Sequence, residues 1–145
     1  MVTVERQAIV PYSAARMYAL VEDIESYPLF LPWCSRAEVV ERSAGRVVAT
    51  IHVDFRGVQQ AFTTENRMQP GERIEMTLVR GPFKELAGEW RFRPLSAAGC
   101  RVELALAYQL ASPLLDRVVG PVFDHIANTF VDAFVRRADA LHESP

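Results

Sequence analysis

The chain carries only two cysteines in 145 residues, Cys34 and Cys100, and they lie far apart. Two are too few for a disulfide-stapled scaffold, and their spacing is not that of a zinc site. Both read as small buried apolar side chains, the usual fate of a free cysteine. The three histidines, His52, His125 and His142, form no spaced pair, so no metal centre is expected. No apolar run approaches the ~20 residues that a bilayer-spanning helix needs. Residues 1–10 include Glu5 and Arg6 and hold no apolar core of the kind a signal peptide requires. Without an export signal, reduced thiols in a cytoplasm are the expectation. The formal net charge is −2, so no bulk positive field draws the chain to DNA. A local basic patch that could meet RNA stays open.

What is present is a core. Half of the residues are hydrophobic and 23% are charged, too apolar a balance for a disordered chain. One domain over residues 1–145 is expected. Small turn clusters, among them Arg56-Gly57, Pro70-Gly71 and Gly81-Pro82, separate segments in which apolar and polar residues alternate. Val47, Ala49, Ile51, Val53 and Phe55 take one parity, as do Ile74, Met76 and Leu78. Leu86, Gly88, Trp90 and Phe92 follow suit, then Val102, Leu104, Leu106 and Tyr108. Period two with one polar face marks an antiparallel sheet. The short links leave no room for parallel crossovers. A meander over about residues 35–108 is expected, preceded by a strand over 3–10.

Helical signals flank the meander. Ser13 is placed to cap a helix over residues 14–21, and 23–32 reads as a short helical turn and a loop broken by Pro28 and Pro32. Ser112-Pro113 is a cap followed by proline at the first helical position. The long helix after it sets Val119, Val122, Phe123, Ile126, Phe130, Phe134 and Leu141 on one stripe. Arg117, Asp124, Asn128, Asp132, Asp139 and His142 fall on the other face. Pro121 should kink or restart this helix. The sheet and the helix must bury their apolar faces against each other. A twisted sheet around one helix rarely closes at both ends, which predicts an apolar pocket.

Three segments carry a resemblance. They are Tyr27-Pro28-Leu29-Phe30-Leu31-Pro32-Trp33-Cys34, Phe62-Thr63-Thr64-Glu65-Asn66, and residues 81–92 from Gly81-Pro82-Phe83 to Trp90-Arg91-Phe92. With the tail Ala133-Phe134-Val135-Arg136-Arg137-Ala138, they resemble the Coq10/RatA branch of the START-like (polyketide cyclase / Bet v 1-like) superfamily. The resemblance implies an α+β helix-grip fold: a curved seven-stranded antiparallel sheet around a long C-terminal helix, with two short helices after the first strand. Its members include quinone-binding chaperones that support respiration and ribosome-association toxins that block subunit joining. Others carry an oligoketide cyclase label that rests on fold analogy.

With that fold, the loop residues Tyr27, Phe30, Leu31 and Trp33 are expected to wall or lid the pocket, since an aromatic loop needs the core or a ligand to cover it. Phe123, Ile126, Phe130 and Phe134 would supply the helix wall, and Phe62, Met76, Leu78, Phe83 and Trp90 the sheet wall. Gln60, Thr64 and Asn66 share the parity of Phe62, and Arg80 that of Leu78. They are the candidate polar anchors, subject to the rule that one bulge reverses every parity beyond it.

No nucleophile with a base, metal triad or phosphate loop is found, so an enzyme is not expected and no cofactor is required. The leading expectation is a carrier of a hydrophobic small molecule, an isoprenoid quinone such as ubiquinone or a related lipid. It would work in the cytoplasm and visit the inner-membrane surface. The rival is a toxin that binds the large ribosomal subunit, with Arg91, Arg93 and Arg101 on the outer sheet face as its RNA contacts.

Overall fold

The computed structural model describes residues 1–143. Strand β1 (Val2–Val10) leads into helix α1 (Ala14–Glu22) and a 3-10 turn (Ile24–Leu29). Six strands follow: β2 (Cys34–Ser43), β3 (Arg46–Phe55), β4 (Val58–Gln69), β5 (Arg73–Arg80), β6 (Phe83–Ser96) and β7 (Gly99–Leu110). Helix α2 (Pro113–Glu143) completes the described chain. The strands form one antiparallel sheet in the order β1-β7-β6-β5-β4-β3-β2, curved around α2.

Local chemistry sets these boundaries. Ser13 Oγ accepts from the Arg16 backbone N–H at 3.2 Å, and Ser112 Oγ accepts from that of Leu115 at 3.1 Å. Each oxygen satisfies a donor that the first helical turn leaves free. The β3–β4 link has two central residues, Arg56 at φ 52° and Gly57 at φ 80°. Positive φ at both positions matches the right-handed twist of the strands it joins. Gly81 adopts φ 155°, and a Cβ there would stand 2.7 Å from Phe62 Cβ. The β5–β6 turn thus presses on β4 too closely for any side chain.

The core lies between the concave sheet face and α2. Met17, Trp90, Val102, Leu104, Val119, Phe134 and Ala138 are almost wholly buried. Cys34 and Cys100 are free and buried as well. Helix α2 runs through Pro121 without restarting. Val119, Val122 and Phe123 are buried on either side of the proline, so packing outweighs its missing N–H. The stripe ends earlier than the spacing predicts: Leu141 is 39% exposed, because the helix by then has outrun the cover of the sheet. Its polar face is also not merely solvated. Tyr12 donates to Asp139 Oδ1 at 2.5 Å, Tyr108 donates to Asp124, and Arg6 donates to Asn128. These bonds tie the helix to β1, β7 and the segment before α1.

Candidate functional site

The concave sheet, α2 and the segment around the 3-10 turn enclose a cavity of about 90 Å³. The sheet supplies Ala49 and Ile51 from β3, Phe62, Thr64 and Asn66 from β4, and Met76 from β5. It adds Phe83, Leu86, Gly88 and Trp90 from β6, and Leu106 and Tyr108 from β7. Helix α2 contributes Phe123, Ile126, Ala127 and Phe130 at the 3.6-residue spacing of one face. Ile24, Tyr27 and Trp33 close the third side. The wall is an aromatic mesh. Phe130 lies 5.8 Å from the Trp33 ring and 5.6 Å from Trp90, while Phe123 meets Phe83 at 4.7 Å and Phe62 at 5.7 Å. Gly88 shapes the floor: a Cβ there would stand 2.7 Å from Met76 Cε and 2.5 Å from Leu106 Cδ2.

Of the residues picked from sequence, Tyr27, Trp33, Phe62, Thr64, Asn66, Met76, Phe83, Trp90, Phe123, Ile126 and Phe130 line this cavity. The others stand elsewhere. Phe134 is fully buried behind the wall, packed on Tyr27, Phe30, Trp90 and Phe130. Leu31 is buried outside the lining, and Phe30 covers Phe134 with the Arg137 guanidinium 5.3 Å above its ring. Gln60 and Leu78 are half-buried and do not reach the cavity. Arg80 is exposed, and the cause is a bulge. Thr63 pairs with Arg80 but Thr64 pairs with Leu78, so β5 spends two residues against one of β4 and Arg80 turns away.

The loop is a fixed wall rather than a free flap in this state. Trp33 is 3% exposed. The Trp33 carbonyl accepts the Asp54 N–H at 2.9 Å, and the Cys34 N–H donates to the Leu31 carbonyl at 3.0 Å. Sequence reasoning left Ile24, Ala49, Ile51, Leu86, Gly88, Leu106, Tyr108 and Ala127 out of the pocket. The sheet residues among them carry inward parity, but parity does not tell at which level of the sheet the helix stands away.

The electrostatics are those of a binding chamber. No charged side chain lines the cavity. Tyr27 donates its hydroxyl to the Val21 carbonyl at 2.5 Å, and burial drives its ionisation well above the ordinary phenol range. Burial, and next the bond to Asp124, do the same to Tyr108. Neither phenol gives up its proton near neutrality. Burial pushes the Cys34 thiol up to about 11, so it is no ready thiolate. Outside the cavity, His52 binds Glu38 Oε1 at 3.1 Å, a bond that lowers the Glu38 carboxyl. His125 stacks on Phe55 at 5.4 Å. Among the described residues no cluster of three His, Cys, Asp or Glu could hold a metal ion, and no helix is long and apolar enough to cross a membrane.

The outer sheet face is not a free basic patch. Arg91 pairs with Glu89 at 2.5 Å, Arg93 pairs with Glu103, and Arg73 bridges Glu75 and Glu89. Arg101 is half-buried with a buried Nε. The cross-strand register sets glutamates beside the arginines, and pairing follows.

The profile of the family described as polyketide cyclase / dehydrase and lipid transport matches residues 10–135. The chain belongs to that family. A relative from Pseudomonas aeruginosa, named ribosome association toxin RatA, is 43% identical over 139 residues, covering 96% of each chain. A mitochondrial relative from Xenopus laevis, named coenzyme Q-binding protein COQ10 homolog B, is 27% identical; the match spans 92% of this chain and 57% of that one. The crystal structure of the Zhui aromatase/cyclase from Streptomyces superposes with a TM-score of 0.84 over 99% of this chain and 96% of that one. At 19% identity, that likeness speaks for the fold alone. The names of these relatives point to different tasks.

Proposed function

We propose that this protein binds a hydrophobic small molecule between the sheet and α2 without transforming it, and that an isoprenoid quinone is its ligand. The observation that carries the reading is the cavity itself: aromatic and aliphatic walls, and no charged side chain among them. The similarity to a coenzyme Q-binding relative supports the choice of quinone. A polyisoprenoid tail gains roughly 0.8 kcal/mol for each CH₂ withdrawn from water, so an apolar chamber rewards it. At about 90 Å³, the cavity is below the roughly 300–1,000 Å³ of a chamber that engulfs a drug-sized ligand. A quinone head therefore enters by displacing wall side chains such as Met76, unbranched and adaptable, and the half-buried Phe130. The tail stays at the opening, toward a membrane that the protein meets from the cytoplasm.

Trp33 and Trp90 both border the cavity, so a short-chain ubiquinone analogue is expected to change tryptophan emission saturably, after correction for quinone absorbance. Trp33→Ala should bind about tenfold more weakly, as area arithmetic allows for a lost aromatic wall. Phe30→Ala, outside the lining, should bind as wild type. No saturable change, together with no heat of binding by calorimetry, would reject the quinone.

A second reading is ribosome association, favoured by the name of the 43%-identical relative. Arg91 and Arg93 are engaged by glutamates and Arg101 is half-buried, so another surface is the better candidate. Arg56, Arg80, Lys84 and Arg117 are exposed. They stand where the β3–β4 and β5–β6 turns and the start of α2 meet one end of the sheet, with Asp54, Glu85 and Asp116 nearby in sequence. On this reading the protein co-sediments with the large subunit, and binding weakens steeply with salt as counterions are released. Charge reversal at Arg80 and Lys84 should abolish co-sedimentation, and reversal at Arg91 and Arg93 should leave most of it. Absence of sedimentation at low salt would set the ribosome aside.

A further inference from the structure

Thr64 and Asn66 are 7% and 6% exposed, and both border a cavity otherwise walled by apolar and aromatic groups. They sit two apart on β4, on the same face of the strand. The Thr64 hydroxyl donates to Asn66 Oδ1 at 2.8 Å. That bond occupies the amide oxygen and sets the orientation of the group. Among the described residues the Asn66 Nδ2 has no hydrogen-bond partner. It is also not sealed away from a water-sized neighbour. The donor is therefore open to a small acceptor, a water or a ligand oxygen, and a largely buried residue gains from having one. The other hydroxyls of the wall are committed, Tyr27 to the Val21 carbonyl and Tyr108 to Asp124.

We infer that the cavity takes a neutral ring compound bearing a carbonyl, and that Asn66 Nδ2 donates to its oxygen while Thr64 holds the amide in place. This rests on reading the cavity as a ligand site, and it adds to the quinone reading the side chain that would hold the carbonyl. The absence of any Arg, Lys or His from the lining decides against fatty acids and phospholipid headgroups. A carboxylate or phosphate would lose its hydration there and meet no countercharge. A ketone or quinone oxygen loses far less and recovers it from one donor. The aromatic walls at Trp33, Trp90 and Phe130 suit a flat ring.

The test uses three naphthalene probes of matched size in isothermal titration calorimetry: acetonaphthone with a ketone, ethylnaphthalene without one, and naphthoate with a carboxylate. Wild-type protein should bind acetonaphthone about tenfold more tightly than ethylnaphthalene, the worth of one buried hydrogen bond, and should not bind naphthoate measurably. Asn66→Leu should bring the ketone and the hydrocarbon to equal affinity while the hydrocarbon's own affinity holds. Thr64→Val should reduce the preference severalfold by freeing the amide, and it reports on the anchor if Asn66→Leu fails to fold. Equal wild-type affinity for the ketone and the hydrocarbon, or a preference that survives both substitutions, would overturn the anchor and leave the cavity reading intact. Naphthoate bound most tightly would overturn the neutral-ligand claim. Failure of all three probes to bind would instead strike the cavity reading itself.

Discussion

Phe134→Ala is expected to cost about 3–5 kcal/mol of unfolding free energy, the range for truncating a buried phenylalanine. For a chain of this size the melting temperature should drop by roughly 10 °C. Phe134 is 0% exposed, and its ring meets Tyr27 at 5.3 Å, Phe30 at 5.1 Å, Trp90 at 5.3 Å and Phe130 at 5.2 Å. It joins α2, the loop after α1 and strand β6 at one point, so the void left behind has three elements to collapse and little freedom to do so. Phe130, one helical turn earlier, is half-buried and borders the cavity, where truncation enlarges a space that already exists. Leu141→Ala, at 39% exposure, should stay within about 0.5 kcal/mol of wild type. Differential scanning calorimetry of the three variants checks the order. A Phe134→Ala protein that melts with wild type would mean that α2 does not dock as described.

The second large effect is alkaline unfolding. Burial raises the ionisation of Tyr27, Tyr108 and Cys34 above their ordinary values. All three are neutral when protonated, and their unfolded values lie near 10 for tyrosine and roughly 8.5 for cysteine. Below pH ~8 both the folded and unfolded chains hold these protons, and stability is unaffected. As pH rises through the unfolded values, the unfolded chain releases protons that the native state retains, so stability falls with pH. The limiting slope is about 1.4 kcal/mol per pH unit for each such group. Cys34 stops contributing to the slope beyond its folded value of about 11, and the two tyrosines carry the loss further. Lys84 is the only lysine, and arginines keep their charge in this range, so basic-group titration adds little. Urea midpoints measured from pH ~8 to ~11 should fall steeply above ~9.5. Tyr108→Phe should flatten that fall by about one group's share. A flat profile would mean that these phenols are open to water.

Much of the architecture was legible because burial writes itself into period. The inward parity of β3, β5, β6 and β7 was readable residue by residue, and Ser13 and Ser112 announced their helices through capping chemistry. The helix wall at Phe123, Ile126 and Phe130 followed from the same reasoning. Arg80 was misplaced because the β4–β5 bulge between Thr63 and Thr64 has no signature in an alternating run; it exists only when two strands are laid side by side. Phe134 and Leu31 are buried behind the lining, a distinction invisible in sequence because an inward apolar side chain carries no mark that tells a wall from the packing behind it. On the outer face, sequence shows that Glu85, Glu89 and Glu103 accompany Arg91, Arg93 and Arg101, while only the strand register shows which of them pair: Arg91 with Glu89 and Arg93 with Glu103.

The sequence by itself determined the elements, their order, and the faces that β3, β5, β6, β7 and the long helix would bury. Those are properties of residue type and spacing along one chain, and local sterics and water enforce them. Only the tertiary structure decided where α2 stands clear of the sheet, that Gly88 and Met76 shape that space, and that Thr64 and Asn66 are bonded to each other at its border. These depend on distances between residues remote in sequence, set by strand register and by how three packed elements share one volume.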